Sequence, residues 1–254
     1  MSQITKNILM IKPSSFAYNV DTAKDNFFQK IEDNLSSDQI QSSALDEFSN
    51  MCSILKENGI NVIVMENEKE KKLSDDIFPN NWISFHGKQY VIHSMFAKSR
   101  RLEKNNKFIK KLNDIGFKYS LLKDYSEFEN KNVFLEGTGS VILDRINKLA
   151  YCSISKRSNE KLFNIFCEDV GYKPIIFSSF DSNGGVVYHT NVMMSIGDDF
   201  ALICYNSIKD LKERKLVKRY LENSGKNIVE IKLKPHGPGN SVVERNRCFI
   251  LCAN

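Results

Sequence analysis

One segment is written three times along this chain and begun a fourth, and this repetition narrows the available folds more than any other feature. The copies begin at Phe78-Pro-Asn-Asn-Trp-Ile-Ser-Phe85, Leu135-Glu-Gly-Thr-Gly-Ser-Val-Ile-Leu143, Tyr188-His-Thr-Asn-Val-Met-Met-Ser195 and Gly237-Pro-Gly-Asn-Ser-Val-Val-Glu244. Each opens on polar residues or glycine, runs into a short apolar strand, turns, and enters a second strand: Gln89–Ser94, Lys148–Ser153, Phe200–Tyr205 and Arg247–Cys252. In the first three an amphipathic helix and a closing strand follow. The starts lie about fifty residues apart, the period of blade-like repeats. The same corner of each copy carries different chemistry: Asn81, Glu136, His189 and Asn240.

No copy can bury its own apolar face and no linker divides them, so we expect one domain over 1–254. Its parts are an N-terminal partial unit over about 1–66, repeats over about 75–123, 133–178 and 186–233, and a partial repeat over 236–254. The net charge of +5 comes from lysines interleaved with acidic and apolar residues along Lys98–Lys111 and Lys209–Lys218. That is the pattern of a solvated helix face, and no aromatic-basic strip marks a nucleic-acid partner. Of six cysteines, Cys152, Cys204 and Cys252 fall at one repeat position, as small core residues do. No Cys-x-x-Cys or His–Cys spacing suggests a metal. No signal-peptide pattern or membrane-length apolar run is present, and a cytoplasmic setting is expected.

Asn7–Lys12 reads as a strand ended by Pro13, and helices are expected over 22–34 and 37–58, with a strand at Asn61–Glu66. The repeat helices are expected at Lys98–Ile115, Ser158–Val170 and Asp210–Asn223. Closing strands follow at Phe117–Leu122, Pro174–Phe177 and Asn227–Leu233. Gly116, Gly171 and Gly225 stand where each helix needs a left-handed end. The order strand, strand, helix, strand predicts an α/β-propeller, helices outside and strand starts converging on its axis. The N-terminal unit lacks a first strand and the fourth repeat lacks its helix and last strand. We therefore expect about fifty residues to be missing at the C-terminus, on the repeat period. The open blade edges would favour homo-oligomers through strand pairing.

A ring would bring Asn81, Glu136, His189 and Asn191 to one face of the axis. A buried carboxylate beside an imidazole is the usual arrangement for orienting a proton-transferring His. Taken singly, a strand His or a Glu before Gly-Thr-Gly is more often structural. Their common repeat phase favours function.

Leu9-Met-Ile-Lys-Pro13, Asp75-Asp-Ile-Phe-Pro-Asn-Asn-Trp82 and Met95-Phe-Ala-Lys-Ser-Arg-Arg101 continue into Phe134-Leu-Glu-Gly-Thr-Gly-Ser140, Tyr188-His-Thr-Asn-Val-Met-Met194 and Gly239-Asn240. Across nearly the whole chain these segments resemble the guanidine-modifying pentein superfamily of amidinotransferases, arginine deiminases and dimethylarginine hydrolases. The nearest resemblance is to its citrulline-utilisation hydrolase branch. The resemblance implies a thiolate attacking a guanidino or ureido carbon, with a His shuttling protons and no metal or organic cofactor. Carried over by motif, His189 is the acid–base residue and Glu136 its substrate-clamping or orienting partner. Asp75, Asn81 and Asn191 are substrate contacts.

Two departures sharpen the expectation. Relatives acting on cationic guanidinium carry Asp where this chain has Asn81 and Asn191, and Gly139 stands where an acidic residue often ends the motif. Amides suit a neutral group needing donors and acceptors, so a citrulline-like ureide is expected as the small-molecule partner. The family's nucleophilic Cys belongs near the C-terminus, in the segment expected to be missing. Cys252 matches core positions. Cys248 is the remaining candidate because Arg247-Cys248 echoes the family's Arg-Cys pair. Yet a five-residue strand of about 17 Å separates it from Asn240, against the about 3–3.5 Å that attack requires. The leading expectation is thus a cysteine-type C–N hydrolase lineage whose nucleophile is missing here. The alternative is an inactive pentein binding or scaffold protein.

Overall fold

A computed structural model describes residues 2–23, 35–67 and 73–231. The fourth marker segment, with Asn240, Cys248 and Cys252, lies outside the described residues, as does most of the helix expected over 22–34. The three full repeats share one plan. In the first, β3 (Ile83–His86) runs antiparallel to β4 (Gln89–Ile92), which pairs in parallel with β5 (Ser120–Asp124). The second uses β6 (Val141–Asp144), β7 (Leu149–Ser153) and β8 (Lys173–Phe177). The third uses β9 (Met194–Ile196), β10 (Phe200–Ile203) and β11 (Asn227–Glu230). Short hairpins make the antiparallel pairs, and a helical crossover makes each parallel one possible. At the N-terminus, β1 (Asn7–Lys12) pairs in parallel with β2 (Asn61–Glu66), from Asn7 opposite Asn61 to Lys12 opposite Glu66. It is a second and a last strand without a first, as the sequence order requires. Among the described residues the fold is mixed α/β, with four small sheets, none closed on itself.

A short helical turn, α1 (Val20–Ala23), precedes α2 (Ser37–Glu57), the crossover between β1 and β2. A capping box opens α2: Ser36 accepts from Gln39 N, and the Gln39 side chain accepts from Ser36 N. The helix expected over Lys98–Ile115 divides into α3 (Lys98–Arg101) and α4 (Asn106–Asp114). Asn105 causes the break, since its side chain caps Lys107 N and offers the backbone an alternative to continued helix. Asn159 and Asp210 cap α6 (Glu160–Val170) and α7 (Leu211–Glu222) at the matching places. Gly171 ends α6 at φ 73°, a left-handed conformation that a Cβ disfavours.

Consecutive sheets share cores. Phe108, Ile109 and Leu112 of α4 pack with Ile11 and Met65 of the first sheet and Trp82, Ile83 and Ile92 of the next. Phe163, Phe166 and Cys167 of α6 fill the space among Val91, Val141 and Cys152. Val217 and Leu221 of α7 join Tyr151 and Phe177 to Met194 and Ile203. Fully burying a side chain such as Phe166 contributes about 1.5–3 kcal/mol. Cys152 and Cys204 are fully buried, as their repeat phase predicts.

Between β3, β4 and α6 lies a polar knot. Ser84 and His86 alternate onto one side of β3, and His93 follows β4. The Ser84 hydroxyl stands 2.9 Å from His86 Nε2 and 2.7 Å from His93 Nε2. Phe166 packs against both imidazoles, at 5.6 and 5.5 Å. Burial, reinforced by Arg145 and Lys148 near His86 and by His86 and Lys104 near His93, pushes both imidazoles down to about 3. Both rings are neutral in the fold.

Candidate functional site

The chemistry-bearing residues fall on, or immediately before, single helical turns that lead into the first strand of each repeat, rather than on the strands themselves. Pro79–Asn81 precedes β3, α5 (Gly137–Ser140) follows Glu136 and precedes β6, and Thr190–Val192 follows His189 and precedes β9. Pro79 supplies a fixed φ at the start of the first turn. The turn α5 packs against both of the others. Gly137 makes that approach possible: with φ at 40°, its Cβ would stand 2.2 Å from the Asn80 carbonyl oxygen. A chain of buried hydroxyls holds the arrangement. Thr190 Oγ1 donates to Ser140 O and accepts from Ser153 N, while Ser158 Oγ donates to Ser140 Oγ at 2.7 Å.

Two repeats thereby meet in one ion-pair-like contact. His189 Nε2 lies 2.7 Å from Glu136 Oε2, with Glu136 fully buried and His189 6% exposed. Glu136 Oε1 accepts from Phe96 N at 2.9 Å, and Arg157 Nη1 stands 3.5 Å from Oε2. Each carboxylate oxygen thus accepts a hydrogen bond from the protein, Oε1 from Phe96 N and Oε2 from His189. Burial raises the Glu136 carboxyl, but the His189 hydrogen bond and the Arg157 and Arg100 charges prevail and hold it at about 2. Burial pulls the His189 imidazole below its ordinary range, against the opposing pull of Glu136. An ionised carboxylate only accepts, so Nε2 carries the proton and Nδ1 presents a lone pair. The geometry orients the imidazole through Nε2.

Asn81, 5% exposed, turns its Oδ1 to Arg100 Nη1 at 2.8 Å. Its Nδ2 and His189 Nδ1 lie 2.2 and 3.0 Å from the point where a Cβ on Gly139 would stand. Glu136, His189, Asn81 and Gly139 are thus brought together. Asp75 lies near, its Oδ2 accepting from Asn19 Nδ2 at 2.7 Å and Thr22 Oγ1 at 3.3 Å. Asn191 is half-buried on the turn after His189 and, among the described residues, forms no hydrogen bond with Glu136, His189 or Asn81.

Sequence reasoning assigned no role to Arg100 or Arg157. Arg100, 3% exposed, forms a bidentate pair with Glu103. Arg157 sits beneath the Tyr188 ring, 4.8 Å from its centroid. A signal existed: both arginines follow the second strand of their repeat, in Lys-Ser-Arg-Arg and Ser-Lys-Arg-Ser.

The thiols of Cys52, Cys152, Cys167 and Cys204 are free and buried, and burial pushes the first three up, that of Cys167 to about 12. None of these four is hydrogen-bonded to His189. Among the described residues no group of three or more His, Cys, Asp or Glu is arranged to hold a metal, and no helix is long and apolar enough to cross a membrane.

A family model for N,N dimethylarginine dimethylhydrolase, eukaryotic, matches residues 12–241. No curated protein matches in sequence. Among solved structures, the fold is similar to apo ArgZ, an arginine dihydrolase of the ornithine–ammonia cycle in cyanobacteria: TM-score 0.61, 16% identity, covering 88% of this chain and 30% of that one. The N-terminal domain of ArgZ, as a cysteine-to-serine mutant bound to substrate, matches with TM-score 0.65 and 16% identity over 88% of this chain and 75% of that one. DDAH from Pseudomonas aeruginosa, a cysteine-to-serine mutant complexed with citrulline, matches with TM-score 0.55 and 11% identity over 90% and 92%. The chain spans less than a third of full-length ArgZ.

Proposed function

The chain belongs to the N,N dimethylarginine dimethylhydrolase family, within the pentein superfamily, and on that footing we propose that it is a cysteine-type hydrolase of the C–N bond of a ureido or guanidino amino acid. A citrulline-like ureide is the favoured substrate. The sheets then stand as blades around an axis, with the turns at 79–81, 137–140 and 190–192 at its mouth. The observation that carries the reading is the buried 2.7 Å contact between His189 and Glu136, which come from different repeats and leave Nδ1, among the described residues, as the ring nitrogen that could move a proton. In the proposed reaction Nδ1 takes the proton of a thiol, the thiolate adds to the ureido carbon, and the imidazolium returns the proton to the departing nitrogen. Water, deprotonated by the same Nδ1, then cleaves the carbon from sulfur. Ligand contacts are assigned to Asn81, Asp75 and Asn191.

A non-catalytic binding module is the second reading, favoured by the placement of all four described thiols in apolar cores. Ammonia release from citrulline and from arginine, by the chain, its His189→Ala variant and its Cys248→Ser variant, separates the two. Hydrolysis abolished in His189→Ala supports the enzyme, and loss in Cys248→Ser identifies the thiol. Equal, non-zero rates in wild type and His189→Ala would refute the proposed site. Ligand binding without turnover establishes the binding module.

A further inference from the structure

The buried Arg100 dictates which end of the Asn81 amide meets a ligand. Each of its three nitrogens donates to a protein acceptor. Nε donates to Glu103 Oε1 at 2.8 Å, and Nη2 donates to Glu103 Oε2 at 2.8 Å, Phe78 O at 3.2 Å and Asp75 O at 3.3 Å. Nη1 donates to the Asn81 side chain at 2.8 Å. A guanidinium has no acceptor, so the Asn81 atom facing it must be the oxygen; a flipped amide would set donor against donor in a buried site. The NH₂ end is thereby fixed toward the volume above Gly139, beside His189 Nδ1. Glu136 fixes the other wall in the same way, because its hydrogen bond to Nε2 leaves Nδ1 as an acceptor.

From this geometry, and resting on the functional reading above, we infer that Arg100 is a positioning residue that makes Asn81 donor-only, so that the site selects a ligand presenting a carbonyl oxygen to Asn81 and an N–H to His189. A ureide matches both, with its oxygen on Asn81 Nδ2 and its nitrogen on His189 Nδ1. A guanidinium offers donors alone and would leave the Asn81 N–H groups desolvated against its own. Sites built to pair a polar group reject an analogue lacking it by large factors, up to about 10⁴–10⁵. The amide is thus more restrictive than an Asn read from sequence, which could turn either end outward. Gly139 contributes by leaving room, since any side chain there would strike Asn81 Nδ2.

The test uses the full chain and two probes, citrulline and arginine, followed by calorimetric titration and by the ring resonances of His189. Wild type is expected to bind citrulline about 10²-fold or more tighter than arginine. Asn81→Asp, which keeps the Arg100 contact but turns an acceptor inward, is expected to reverse that order. In wild type the Asn81 side-chain NH₂ protons should show nuclear Overhauser contacts to the His189 ring, a readout that needs neither ligand nor variant. Contacts from those protons to the Arg100 guanidinium instead, or an unchanged preference in Asn81→Asp, would overturn the inference while leaving the functional reading standing. Failure of both ligands to shift the His189 ring would overturn the functional reading, and the selectivity claim with it.

Discussion

Acid should unfold this protein through its Ser84–His86–His93 knot. Both rings are buried and neutral at values near 3, whereas an ordinary imidazole in the unfolded chain titrates near 6.5. Between those values the unfolded chain binds more protons, so the stability held by the neutral pair is complete above 6.5 and falls as the pH drops toward 3. At pH 5 each unfolded ring is 1.5 units below its ordinary value, and at about 1.4 kcal/mol per unit this is about 2 kcal/mol per ring, or about 4 kcal/mol for the pair. That is a large share of the about 5–15 kcal/mol typical of a folded domain. The assay is urea unfolding at pH 7.5 and pH 5, for wild type and for the Ser84→Ala/His86→Phe/His93→Phe variant. The variant removes both partners of each hydrogen bond and so leaves no orphaned hydroxyl. Its loss on acidification should be smaller than that of wild type by about 4 kcal/mol, other titrating groups cancelling in the difference. Equal losses in the two proteins would refute the assignment of neutral buried rings.

Glu136→Gln should lower any hydrolysis by about 10²-fold or more, since the imidazole loses the group that fixes its proton on Nε2; unchanged kcat/KM would remove Glu136 from the site. The same carboxyl, held at about 2, supplies stability above its ordinary value near 4.5 that is lost as pH falls toward 2, and the acid unfolding of Glu136→Gln should lack that phase. With His189 held below the ordinary imidazole range, the acid limb of kcat/KM should bend below pH 6.5, and a bend at or above 6.5 would contradict a buried neutral base. Gly171→Ala should cost about 1–2 kcal/mol by forcing a Cβ into left-handed backbone, measured as a lower thermal midpoint, and an unshifted midpoint would show that the helix end readjusts.

The repeat phase made much of the architecture legible. Equivalent glycines, closing strands and cysteines appear where the internal comparison puts them, because each repeat must present an apolar face to its neighbour at fixed spacing. The pairing of Glu136 with His189 followed from the same phase. What periodicity could not see was side-chain hydrogen bonding. The interrupted helix at Arg101–Asn106 keeps its apolar spacing and is broken by the cap at Asn105 alone. Arg100 and Arg157 look like surface cations in a basic chain, yet both are buried against carboxylates, Arg100 against Glu103 three residues on and Arg157 against Glu136. The polarity of Asn81 is a three-dimensional property with no trace in its residue type.

The imidazole and the carboxylate are supplied by turns 53 residues apart in the chain, each seated on the rim of a different sheet. Neither excised repeat could therefore carry the pair. A clip in the connection near residues 181–185 that let the third unit drift would part the imidazole from the carboxylate before either half melted, so under the proposed function loss of turnover should precede loss of helical signal under mild proteolysis. The contact between them is thus also a gauge of whether neighbouring units remain docked.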